Sequence, residues 1–241
     1  MRVVRANCRV QLNAEDIAFL LRVFERDADD SSFLNLLLTD EEARDQILDD
    51  PLVYDTLTNS NHCLSISNHL YFYVLVRHVF LRAGIDDRSV ADYVASLLVE
   101  FTQTENLPLR VPPDRTPIEY VFEMLTESAR ADDRTRYFIQ AHIGNHTLFL
   151  SGVFAERIER RCESRGFPGL DYYENVGAGQ FRAARDHRMA ERYELVPVYN
   201  RLSEDFPKAR RALSDLSDRV LHFNQPSWLS GFLAQSSKLF N

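Results

Sequence analysis

Lysine is almost missing from this chain. Lys208 and Lys238 are the only two, so nearly all of its 28 basic residues are arginine. That bias fits a GC-rich, bacterial coding genome more simply than it fits arginine-specific recognition. Cysteine is scarce too. Cys8, Cys63 and Cys162 are odd in number and far apart, which argues against a disulfide framework and for free thiols in a reducing compartment. No Cys-x-x-Cys pair occurs, so a thiolate zinc site of the usual spacing is excluded. Apolar runs are short: residues 70–76 form one, far below the ~20 residues that span a bilayer. The first ten residues have no apolar signal-peptide core, so a cytoplasmic location is expected. An excess of positive charge is also lacking. The net charge of −8 argues against nucleic acid as a partner, because a phosphate backbone needs a cationic surface. Gly-x-Ser-x-Gly elbows, phosphate-binding loops, internal repeats and βαβ alternation are all absent.

What is present is helical patterning throughout. Hydrophobic residues make up 45% and charged residues 27%, an ordinary balance for a globular chain. The pattern predicts an all-α fold: a helical bundle of roughly eight to ten helices around a buried central helix over about 66–83, which is apolar nearly all round and ended by Gly84. Residues 1–241 read as a single α-helical domain. The Pro-rich loop 104–116 is a candidate sub-boundary, and 225–241 an aromatic C-terminal tail. Residues 1–11 read as a short strand or extended arm. Helix starts are expected at Asn13, at Thr39-Asp40-Glu41-Glu42, at Asp50-Pro51, at Asp86 or Asp87, at Thr116-Pro117-Ile118-Glu119 and at Asp132 or Asp133. The helix opened by Asp132 or Asp133 is expected to reach about Arg161. The one opened by Asp171 is expected to be kinked or broken at Pro197, and another follows from Phe206-Pro207 to about Phe223.

Residues 137–155 carry the densest chemistry. At helical spacing Ile139, His142, His146, Phe149 and Val153 share one stripe, so two imidazoles point the same way into an apolar face. His142 and His146 are therefore candidate metal ligands, with His69 and His78 of the central helix as further donors. The same spacing also suits core histidines hydrogen-bonded beside Gln140, Asn145 and Thr147. Neither His-Glu-x-x-His nor paired Glu-x-x-His motifs occur.

Arg77 shares a stripe with Leu70, Tyr73, Val74 and Leu81. A guanidinium there cannot lose its charge, so it needs a carboxylate from a neighbouring helix or an anionic ligand. Arg77, Tyr73, Gln140 and Asn145 are accordingly ligand-binding candidates. Gly177 and Gly179 join them: within a helix each costs about 1 kcal/mol relative to Ala. Such glycines serve close helix packing or the approach of backbone to a flat ligand. Arg157–Arg165 alternates in charge and reads as a solvated face.

Two family patterns lie near these residues. Arg182 and His187 resemble the Arg-x4–6-His signature of HEPN-type ribonucleases, although Ala183 stands where that family usually has a polar residue. Gly144–His146 with Ser151-Gly152 is faintly similar to the distal helix of heme-oxygenase-like folds. The proximal histidine that this similarity implies is missing from residues 13–27. The leading expectation is a soluble helical protein acting through protein–protein or self-association, with tail residues Trp228, Leu229, Phe232 and Phe240 as anchors. The alternatives are a metal- or heme-dependent helical-bundle enzyme using His142 and His146, and a HEPN-like ribonuclease.

Overall fold

The computed structural model describes residues 3–27, 29–59, 65–103, 106–112 and 116–220. The tail 225–241, and with it Trp228, Leu229, Phe232 and Phe240, lies outside the described residues, as does Cys63. Within them the chain is all-α apart from one two-stranded ribbon. Its helices are α1 (Ala14–Val23), α2 (Ser31–Thr39), α3 (Glu41–Asp49), α4 (Pro51–Asn59), α5 (Asn68–Arg82), α6 (Arg88–Phe101), α7 (Val121–Arg130), α8 (Asp133–Val153), α9 (Ala155–Arg165), α10 (Leu170–Arg185), α11 (Arg188–Arg192), α12 (Val196–Glu204) and α13 (Phe206–Val220).

Caps account for most helix starts. Asn13 and Asp16 form a reciprocal capping box on α1; Asp40, Asp87 and Asp132 cap α3, α6 and α8. Asp16 does more than cap. Its carboxylate is fully buried and accepts from Ser67 N and Ser67 Oγ, both at 2.7 Å, tying α1 to the start of α5. That central helix is buried on nearly every face and packs along α6, as its apolar pattern predicts. Gly84 follows it with φ +77, a conformation that side chains other than glycine rarely adopt.

A second axis is α8, flanked by α7, α10 and α13. Close approach is set by glycine. A β-carbon on Gly144 would lie 2.9 Å from the Phe181 ring of α10, and one on Gly152 would lie 2.8 Å from Leu213 Cβ of α13. Small residues on α8 thus seat large ones from its neighbours.

The structure corrects several expectations. Of the two readings for the N-terminus the strand is not formed: among residues 3–11 the one regular element is a 3-10 turn at Cys8–Val10. Thr39 closes α2, its hydroxyl donating to Asn35 O, while Asp40 alone caps α3. No helix starts at Thr116: Pro117–Ile118 pairs antiparallel with Leu109–Arg110, in register Leu109↔Ile118, and α7 begins at Val121. Pro117 fits because the ribbon is all edge, and Ile118 packs on a small second core of Leu109, Val121, Met124, Ile139 and Ile143. The long histidine helix breaks at Phe154 (φ −121, ψ 32) rather than running to Arg161. Ser217 of α13 donates to the Val153 carbonyl at 3.0 Å, and the Phe154 ring turns in against Phe149. Pro197 breaks nothing: α10 already ends at Arg185, and Pro197 sits in the first turn of α12, where its missing N–H is unneeded. Among the described residues thirteen α-helices appear where roughly eight to ten were expected, in part because of these breaks. Among the described residues no helix is long and apolar enough to cross a membrane.

Candidate functional site

His142 and His146 are side by side, as the spacing requires, with ring centroids 5.8 Å apart. What they converge on comes from elsewhere in the chain. His142 Nε2 lies 3.1 Å, and His146 Nδ1 3.0 Å, from the backbone carbonyl of Leu107. A carbonyl has two lone pairs and no proton to give, so both ring nitrogens must be donors. That sets the His142 ring as the Nε2–H tautomer and the His146 ring as Nδ1–H. Leu107 is itself fully buried. The Pro-rich loop therefore crosses α8 as a strap, clipped at one carbonyl.

Both imidazoles are held neutral. Burial, with the neighbouring His142 ring, lowers the His146 pKa to about 3; burial lowers that of His142 to about 4. His142 keeps partial solvent access whereas His146 is 2% exposed, so burial acts more strongly on His146.

The two histidines line different pockets. His142 and Asn145 line a pocket of about 320 Å³ together with Val4, Phe101, Pro108 and Leu109. Asn145 Oδ1 accepts the Tyr93 hydroxyl at 2.8 Å, which fixes its amide. Behind it the hydroxyls of Tyr93, Tyr137 and Tyr199 lie within electrostatic reach of one another, yet those of Tyr137 and Tyr199 meet no partner in hydrogen-bond geometry. His146 and Leu150 face a pocket of about 280 Å³ walled by Tyr120, Phe122, Phe167 and Tyr173. At its edge the Arg161 guanidinium stands 4.2 Å over the Phe167 ring, a cation–π contact. With Nδ1 donating to Leu107, His146 Nε2 keeps a lone pair, and this buried atom has no hydrogen-bond partner.

Arg77 answers to carboxylates of its own chain. Its Nε and Nη2 grip the two oxygens of Asp49 at 3.0 Å each, and Nη2 also donates to Asp86 at 2.7 Å. Arg88 Nε shares Asp49 at 2.9 Å and lies near Asp45, which pairs with Arg9; Arg9 in turn reaches Asp92. Seven charges, three arginines and four aspartates, thus bind α3, α5, α6 and the N-terminal turn. Tyr73 contributes weakly, with its hydroxyl 3.5 Å from Asp49. Burial raises the carboxyl pKa of Asp45 and Asp92 above the usual range, against the pull of Arg9.

The remaining sequence candidates are scattered. Gly177 is a packing site: a β-carbon there would meet Phe206 at 2.3 Å and Thr147 Oγ1 at 2.5 Å. Gly179 has nothing within 4 Å. Gln140 is half-buried. His78 stacks on Tyr54 with ring centroids 3.5 Å apart, and burial and Arg82 lower its pKa. His69 lines a separate groove with Arg5 and Asn7. Neither joins the histidine pair: among the described residues, no group of three or more His, Cys, Asp or Glu side chains is arranged to hold a metal ion. His187 caps α11 through Nδ1, its Nε2 lies 3.1 Å from Asp133, and Arg182 is exposed. The pair that resembles the ribonuclease signature is thus spread between an exposed helix face and a capped turn.

Leu107, Tyr120 and Phe122 were missed by sequence reasoning. Leu107 acts through a backbone carbonyl, which no side-chain pattern reports. Tyr120 and Phe122 had a signal, since both flank a buried residue at the start of a helix, but the helix start was placed too early. Together the fold and this site define the protein's class as an all-α bundle with a clipped strap and two pockets at its histidines. No protein-family model, curated protein or solved structure matches the chain.

Proposed function

We propose that the protein acts by association, docking a partner protein on the aromatic surface of Tyr120, Phe122 and Phe167. One observation carries this reading: Tyr120 and Phe122 are 55% and 61% exposed and stack on each other, centroids 5.7 Å apart, at the mouth of a pocket. Leaving such rings in water forgoes about 1.5–3 kcal/mol for each one that could be buried. Aromatic residues around a pocket are the common anchor points of protein interfaces. The tail residues Trp228, Leu229, Phe232 and Phe240 remain candidate anchors on sequence grounds.

The test is capture from extracts of the source cell with the wild type and with Tyr120→Ser/Phe122→Ser, alongside light scattering of both. Exposed positions tolerate the change, so the variant should fold. A partner lost from the variant, or a fall in its mass from self-association, supports the reading; the same partners and mass in both proteins overturn it. A metal- or heme-dependent reading draws on the unpaired His146 Nε2; the His142 Nε2 already donates to Leu107, which leaves only Nδ1 of that ring as a ligand atom.

A further inference from the structure

The pocket beside His146 is mainly aromatic, with Glu119 and Arg161 also among its lining residues. Tyr120, Phe122, Leu150, Phe167 and Tyr173 surround it, and His146 contributes an imidazole that is 2% exposed. Clipping of Nδ1 to the Leu107 carbonyl leaves Nε2 as a lone-pair acceptor, and that atom lacks any partner. A buried acceptor without a donor forfeits hydrogen-bond energy that no other group in the site returns. Burial also keeps the ring neutral, so it does not select an anion. At about 280 Å³ the cavity suits a single ring system rather than a large ligand.

Resting on the association reading above, we propose that the partner's anchor is a tryptophan or tyrosine side chain seated in this pocket, its N–H or O–H donating to His146 Nε2. Each carries a donor on a large apolar ring, matching the unpaired His146 acceptor among the aromatic lining of the pocket. Phenylalanine and leucine fill the walls but leave Nε2 unpaired. Recognition therefore discriminates by one hydrogen bond, and a site built to satisfy such a bond rejects ligands that lack it.

The experiment titrates the full chain with N-acetyl-tryptophanamide and with its 1-methylindole counterpart, which has the same rings and amides but no indole N–H. Binding is followed by saturation-transfer NMR and by the ¹⁵N resonances of the histidine rings. We expect saturable binding of the first probe, at least tenfold weaker binding of the second, and a shift of the His146 Nε2 signal with the first alone. In His146→Asn, whose side-chain amide still donates to Leu107 but whose shorter side chain places no acceptor at the Nε2 position, the two probes should bind equally. Phe122→Ala should weaken both probes alike. Equal affinity of the two probes for the wild type overturns the proposal, and so does binding of free indole without binding of the amide probe. If neither probe binds but Tyr120→Ser/Phe122→Ser still loses its partner, the anchor is wrong and the association reading survives.

Discussion

A β-carbon on Gly177 would sit 2.3 Å from the Phe206 ring, so that glycine of α10 is the seat of that aromatic residue of α13. Phe206 is fully buried and cannot swing outward without opening the core. Gly177→Ala should therefore destabilise the protein by about 2–4 kcal/mol, because overpacking outweighs the ~1 kcal/mol gained in helix propensity. Gly179→Ala, two residues along with nothing within 4 Å, should instead stabilise it by up to about 1 kcal/mol. Urea unfolding of both variants checks the opposite signs.

The histidine clip predicts acid sensitivity. The folded pKa values of His142 and His146, lowered to about 4 and about 3, lie below the ~6.5 of an unfolded histidine. Between those limits the unfolded chain takes up protons that the folded chain refuses, so stability falls as pH falls. At about 1.4 kcal/mol per pH unit for each ring, and less for the partly accessible His142, the pair removes roughly 3 kcal/mol by about pH 5. His142→Gln with His146→Asn keeps a donor at each Leu107 bond and removes both titrations. Its Tm should lose less than the wild type's between pH 7 and pH 5; parallel losses would show that the rings do not drive the effect.

Arg77 predicts a folding defect rather than a binding defect. It is 4% exposed, and its removal leaves Asp49 with Arg88 alone. Arg77→Leu should cost about 3–5 kcal/mol. Arg77→Met with Asp49→Leu should recover part of that, since the uncompensated charge is then gone. A soluble, normally stable Arg77→Leu would mean that the network does not hold these helices together.

Metal analysis of untagged protein, with an absorption spectrum, tests the enzyme alternative. The His142 and His146 nitrogens that converge already share the Leu107 carbonyl, so zinc, iron or heme should be well below one equivalent. Near-stoichiometric metal or heme that falls in His142→Gln/His146→Asn would reverse that expectation.

Much of this was legible in the chain. The apolar surface of residues 70–80 announces a central helix, and Asn13, Asp40, Asp87 and Asp132 announce where helices begin. The demand of Arg77 for a carboxylate was also readable, because a guanidinium cannot shed its charge. Periodicity and capping are local, acting over three or four residues, so sequence by itself determines them. Which carboxylates answer Arg77, which carbonyl joins His142 and His146, and which glycine seats Phe206 were decided by tertiary structure. Apart from Asp86, nine residues from Arg77, those partners lie tens of residues apart, on a loop or a facing helix, and a three-residue periodicity carries no record of what the far side of a helix will meet.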